Sequence, residues 1–134
     1  MQLKAKFGIA PIAWSNDDLP QLGGDTPLET CLSESRLAGF SGVETGGKFP
    51  KTSAELAPLL RKHELGLVSG WYSGTVLDSD LQSEKAKALP QLTRFRELGA
   101  ACLVYGETAG TIQNRQDVPL AKRRVIDDGA MRAY

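Results

Sequence analysis

The chain has 134 residues, enough for one domain with a core of its own, and its 16 basic and 16 acidic side chains cancel. That balance argues against nucleic acid and anionic membranes as partners and for a small or neutral one. Two cysteines, Cys31 and Cys102, lie far apart outside any metal-spaced cluster. They read as buried thiols in a reducing compartment. No apolar run approaches the roughly 20 residues of a membrane span, and a cytoplasmic location is expected.

The first element is an apolar strand from Lys6 to Trp14, broken by Pro11, which donates no ladder hydrogen bond and predicts an irregular end. Thr26-Pro27-Leu28-Glu29 then has the spacing of a capping box, followed by a helix from about Pro27 to Ala38 that buries Leu28, Cys31 and Leu32. A short strand, Gly42 to Thr45, leads into Gly46-Gly47-Lys48-Phe49-Pro50. Thr52 and Glu55 repeat the capping-box spacing, and Leu56, Leu59 and Leu60 form the buried stripe of a second helix, which Pro58 predicts to start late or bend. A third strand, Leu67 to Trp71, is followed by a loop over Tyr72-Ser73-Gly74-Thr75. The third helix is predicted over Leu81 to Leu98, with Ala88, Leu89, Leu92 and Phe95 inward and a kink at Pro90. The fourth strand is Ala101 to Tyr105, and Asp127 or Asp128 caps a last, clipped helix.

Helix ends fall at Gly39, Gly66 and Gly99, 27 and 33 residues apart, where glycine supplies the left-handed cap. That spacing predicts parallel strands joined by crossover helices. Either a small open sheet or half of a (β/α)8 barrel satisfies it. Polar and aromatic residues gather after each strand, at Trp14-Ser15-Asn16-Asp17, Glu44-Thr45-Gly46, Trp71-Tyr72-Ser73 and Tyr105-Gly106-Glu107-Thr108, and this favours the barrel, whose active site is built from strand ends. The fold class expected is therefore α/β, a TIM-barrel type present as an N-terminal half-barrel. Residues 1–134 then form one incomplete domain truncated in the fourth helix.

Several runs carry a resemblance: Gly8-Ile9-Ala10-Pro11-Ile12-Ala13-Trp14-Ser15-Asn16-Asp17-Asp18, Ala38-Gly39-Phe40-Ser41-Gly42-Val43-Glu44, Gly47-Lys48-Phe49-Pro50, Ser69-Gly70-Trp71-Tyr72-Ser73 and Gly106-Glu107-Thr108-Ala109-Gly110-Thr111-Ile112-Gln113. In this order they resemble the myo-inosose-2 dehydratases of inositol catabolism. The resemblance implies a xylose-isomerase-like barrel that removes water from 2-keto-myo-inositol to give a trihydroxycyclohexanedione. It also implies a divalent cation, cobalt or manganese, and glutathione as an activating cofactor. Proteins of that family are about twice as long, and their metal ligands come mainly from later strands. No metal ligand is carried over onto this chain, and negligible turnover by the chain alone is expected.

Dehydrating a hydroxyketone needs a base beside the acidic C–H, stabilisation of the enolate oxygen, and a proton for the departing hydroxyl. Glu44 and Glu107 are the candidate catalytic residues, each as base, hydroxyl-binding carboxylate or outer metal contact; the alternative for each is to accept hydrogen bonds from loop amides. Trp14, Asn16, Lys48, Trp71 and Tyr72 are the candidate substrate-binding residues, the aromatics forming a wall against the ring's C–H face. Asp17 and Asp18 serve either as hydroxyl ligands or as turn residues. His63, the one histidine, is expected to stabilise a helix end. Glycine pairs make no phosphate-binding loop, and Lys122-Arg123-Arg124 reads as a solvated face. The alternatives are a related barrel sugar isomerase or epimerase, and a non-catalytic half-barrel that self-associates through its exposed strand edges into a homo-oligomer.

Overall fold

The structure, a computed structural model, describes residues 5–113 and 115–133. Four strands alternate with four helices: β1 (Gly8–Ile9), α1 (Leu28–Leu37), β2 (Gly42–Thr45), α2 (Ser53–Lys62), β3 (Gly66–Gly74), α3 (Leu81–Leu98), β4 (Val104–Glu107) and α4 (Asp128–Ala133). The strands form one sheet in the order β1-β2-β3-β4, and every neighbouring pair is parallel. Sequential parallel strands with helical crossovers are the geometry of a (β/α)8 barrel, here as a half-barrel. No helix among the described residues is long and apolar enough to cross a membrane.

The core lies between the sheet and its helices. Val43 and Leu67 project from the outer face into a cluster with Leu32, Leu56, Leu60, Leu65 and Phe95, all less than a tenth exposed. Phe95 reaches the sheet because Gly70 leaves space: a Cβ there would lie 2.4 Å from the Phe95 ring. The inner face is different in kind, for Val68, Trp71 and Val104 on it are 38%, 48% and 38% exposed. In a complete barrel that face is packed with layered side chains.

β2 and α3 have their predicted boundaries, and Asp127 caps α4 by accepting from the Ala130 amide at 2.8 Å. Other expectations are corrected. β1 is two residues long because Pro11 opens a 3-10 turn over 11–13. β3 runs on to Gly74, so Tyr72 and Ser73 are strand residues paired with Tyr105 and Gly106. β4 begins at Val104, not Ala101. Pro27 is itself the N-cap of α1, with no side-chain cap, whereas Thr52 caps α2 by accepting from the Glu55 amide. α2 begins directly after that cap and continues through Pro58. Gly39 and Gly99 take the left-handed conformation, but at the middle junction the residue with positive φ is Glu64 at +53°. Gly66 starts β3 instead. Leu89 and Leu92 are exposed, and the inward positions of α3 are Glu84, Arg94 and Phe95. Cys31 is buried, while Cys102 is exposed at the approach to β4. His63 sits at the C-cap of α2, but burial, and then Lys62, pushes its pKa down and favours the neutral ring.

Candidate active site at the strand ends

The loops after β1, β2 and β4 and the inner face of β3 enclose a cleft of about 350 Å³, lined by Ser15, Asn16, Asp17, Asp18, Glu44, Thr45, Trp71 and Gln113. Alternation along the strands sets its floor. Glu44 pairs with Ser69, and Trp71 lies two residues further along β3 on the same face. The Trp71 ring lies across β4 at Gly106, where a Cβ would be 2.1 Å from it. Its indole N–H donates to Ser73 Oγ at 2.9 Å, which fixes the ring's tilt. Glu44 is half-buried at the end of β2, and among the described residues its carboxylate has no hydrogen-bond partner.

Glu107 contrasts with it. Its carboxylate accepts from the Val76 amide at 3.0 Å, the Ala109 amide at 2.9 Å and the Tyr105 hydroxyl at 2.8 Å. Register explains the difference: Tyr105 pairs with Tyr72 on the helix-facing side of the sheet, and Glu107 lies two residues on, on that same side. Desolvation, then the Glu107 hydrogen bond, pushes the Tyr105 pKa up to about 12. Glu107 thus anchors the loop after β3 to β4 and stands outside the cleft.

The remaining candidates divide in the same way. Asn16 and Trp71 line the cleft; Trp14, Lys48 and Tyr72 do not. Asn16 Oδ1 accepts from the amides of Asp18 and Leu19, which shapes the turn after β1 and leaves the side-chain N–H group for other partners. Trp14 turns towards α1 and donates to Glu34. Lys48 points away from the cleft and donates to the carbonyls of Gly23, Gly24 and Thr26, pinning the loop that precedes α1. Tyr72 faces α3, and its hydroxyl donates to Glu84 Oε1 at 2.9 Å. The two tyrosine rings pack at 5.9 Å.

Glu84, one of the least exposed charged residues, organises the loop after β3. Its carboxylate accepts from the Thr75 amide and hydroxyl, each at 3.1 Å, from Ser79 Oγ at 3.1 Å and from Tyr72. Desolvation pushes its pKa up, but the hydrogen bonds from Tyr72, Thr75 and Ser79 outweigh that and bring it to about 2. On Tyr72, desolvation and the bond to Glu84 act together to raise the pKa to about 12.

Sequence reasoning overlooked Gln113 and Glu84. Gln113 stands in the sequence only as the last residue of a matched run, and Glu84, four positions after Asp80, the residue that caps α3, carries no sequence signal that it is buried. Asp17, weighed only as a turn or hydroxyl-binding residue, accepts from the Gly47 amide at 2.6 Å and so joins the β1 and β2 loops. Among the described residues no group of three or more His, Cys, Asp or Glu side chains could hold a metal ion.

Parallel strands in sequential order with a polar cleft at their carboxyl ends place the chain in the (β/α)8-barrel class of α/β folds, as a half-barrel. No family model matches the chain. It is 44% identical over 132 residues, 98% of its own length, to the rhizopine catabolism protein MocC of Rhizobium meliloti. It is 37% identical over 121 residues, 90% of its length, to inosose dehydratases of Bacillus thuringiensis and Bacillus cereus. In each case the match covers 41% of the relative, so the chain spans about two fifths of the length of the curated relatives it matches. Over nearly all of its own length the chain is homologous to inosose dehydratases and to MocC.

Proposed function

We propose that the cleft binds a polyhydroxylated ring ketone such as 2-keto-myo-inositol and contributes the proton-abstracting half of a hydro-lyase site, within a cytoplasmic enzyme of inositol breakdown. The observation that carries this reading is the Glu44 carboxylate, half-buried in a polar cleft and without a hydrogen-bond partner among the described residues. A carboxylate so placed is available to take a proton from the carbon beside a ketone, whereas Glu107 is committed to two amides and a hydroxyl. Trp71 supplies an apolar surface for the ring's C–H face, and the Asn16 amide group a donor for a hydroxyl. Lys48 and Trp14 act from outside the cleft, holding the chain between β1 and α1 that carries Asn16, while Tyr72 with Glu84 fixes the loop after β3.

The described residues do not fit a divalent cation, having no cluster of ligand side chains, and the reading assigns no step to cobalt, manganese or glutathione. Homology to inosose dehydratases supports the substrate class and favours dehydration over isomerisation. Proton abstraction is tested by incubating the chain with 2-keto-myo-inositol in deuterated buffer and following loss of the proton signal next to the carbonyl. Exchange above the buffer rate is expected, with a fall of about a hundredfold or more in Glu44→Gln, since a positioned base contributes on that order. Equal exchange by wild type and Glu44→Gln would remove Glu44 as the base. With a complete homologous barrel in place of the chain, formation of an epimeric ketose without the dione would replace the dehydratase reading by a sugar isomerase or epimerase.

A further inference from the structure

β1 and β4 lie at opposite ends of the sheet, yet the segment after β4 returns to the loop after β1. Gln113 Nε2 donates to both carboxylate oxygens of Asp18, at 3.0 and 2.9 Å, and Gln21 Nε2 donates to Gln116 Oε1 at 3.2 Å. Both contacts join residues 95 apart in the chain. Asp18 and Gln113 line the same cleft as Glu44 and Trp71. Asp18 is held from behind, because its own amide donates to Asn16 Oδ1 at 2.9 Å. The far end of the segment is fixed by Arg124, which donates to Asp78 and to the Ala109 carbonyl. The cleft is therefore roofed from one rim by a single amide–carboxylate contact.

We propose that Asp18 and Gln113 form a hydroxyl-recognition pair that selects polyhydroxylated rings. The identity of the ring rests on the reading above; the pair does not. A hydroxyl both donates and accepts, so one inserted between the two side chains accepts from Gln113 Nε2 and donates to Asp18, replacing the direct amide–carboxylate contact with a bond to each partner. A ring lacking that hydroxyl leaves a carboxylate and an amide imperfectly paired. Sites built to bond a hydroxyl reject analogues without it for this reason. Both side chains touch the ligand in this scheme, Gln113 as the donor and Asp18 as the acceptor.

The test uses the full chain with 2-keto-myo-inositol, myo-inositol and cyclohexanone as probes, and dissociation constants from ligand-observed NMR. Gln113→Ala and Asp18→Asn are each expected to weaken both polyols about tenfold or more, the usual scale for a hydrogen bond to a charged group, without changing cyclohexanone. The exchange Asp18→Asn with Gln113→Glu restores an amide opposite a carboxylate and is expected to recover part of the affinity, which loss of fold would not allow. Unchanged polyol affinity in both single variants, or a wild-type chain that binds neither polyol, overturns the pair. Binding of myo-inositol that depends on Gln113, with no proton exchange on the ketone, leaves the pair standing and removes Glu44 as the proton-abstracting base.

Discussion

The two faces of the sheet are built from the same strands but obey different rules. Outward, Val43 and Leu67 meet helices and are 2% and 5% exposed; inward, Val68 and Trp71 on the same strand set are 38% and 48% exposed. Stability therefore resides on the helical side, while the polar cleft and its floor lie on the open side. A sheet of this kind separates the residues that hold the chain together from those that meet a ligand. The sequence lets both faces be apolar because an interior parallel strand is normally covered twice.

The largest effect that would break this contrast is expected at Leu56, which is fully buried under the sheet. Leu56→Ala should cost about 3 kcal/mol in urea unfolding, the usual range for a buried leucine that leaves a cavity. A loss below about 1 kcal/mol would mean that the helical side is not the core. Glu84 gives the next effect, read through pH. Its carboxylate is held near 2 in the folded chain, so the stability it provides is present above the ordinary carboxylate value of about 4.5 and is lost as pH falls towards 2. Glu84→Gln should flatten the acid limb of the stability curve in that window and leave the neutral region offset by a constant amount. An unchanged acid limb would show that the loop after β3 does not depend on the ionised carboxylate. The smallest effect is expected on the open face, where Val68→Ala should shift unfolding by less than about 0.5 kcal/mol. A cost comparable to that of Leu56→Ala would show that the inner face is covered in solution.

What the sequence made legible follows from range. β2 and the caps at Thr52 and Asp127 depend on residues within a few positions, and they stand where the pattern puts them. Leu89 and Leu92 failed because periodicity reports which face of a helix is apolar and not what lies against it. The left-handed residue at the middle junction is Glu64 because the chain turns two residues before its glycine, with Leu65 already returning to bond the Leu60 carbonyl at 3.0 Å. Glu44 and Trp71 were legible as strand-end residues, since alternation carries them to the same face. The separation of Glu44 from Glu107 was not, because it depends on the parity of a strand that begins three residues later than expected. The Asp18–Gln113 contact had no local signature at all.

The unequal exposure of the two thiols has a practical side. Burial pushes the Cys31 pKa up and shields it, whereas Cys102 lies open where the chain approaches β4, the terminal strand of the sheet. A maleimide dye will therefore settle on Cys102 of the unmutated chain, two residues before β4 begins, and report on that strand without any engineered cysteine.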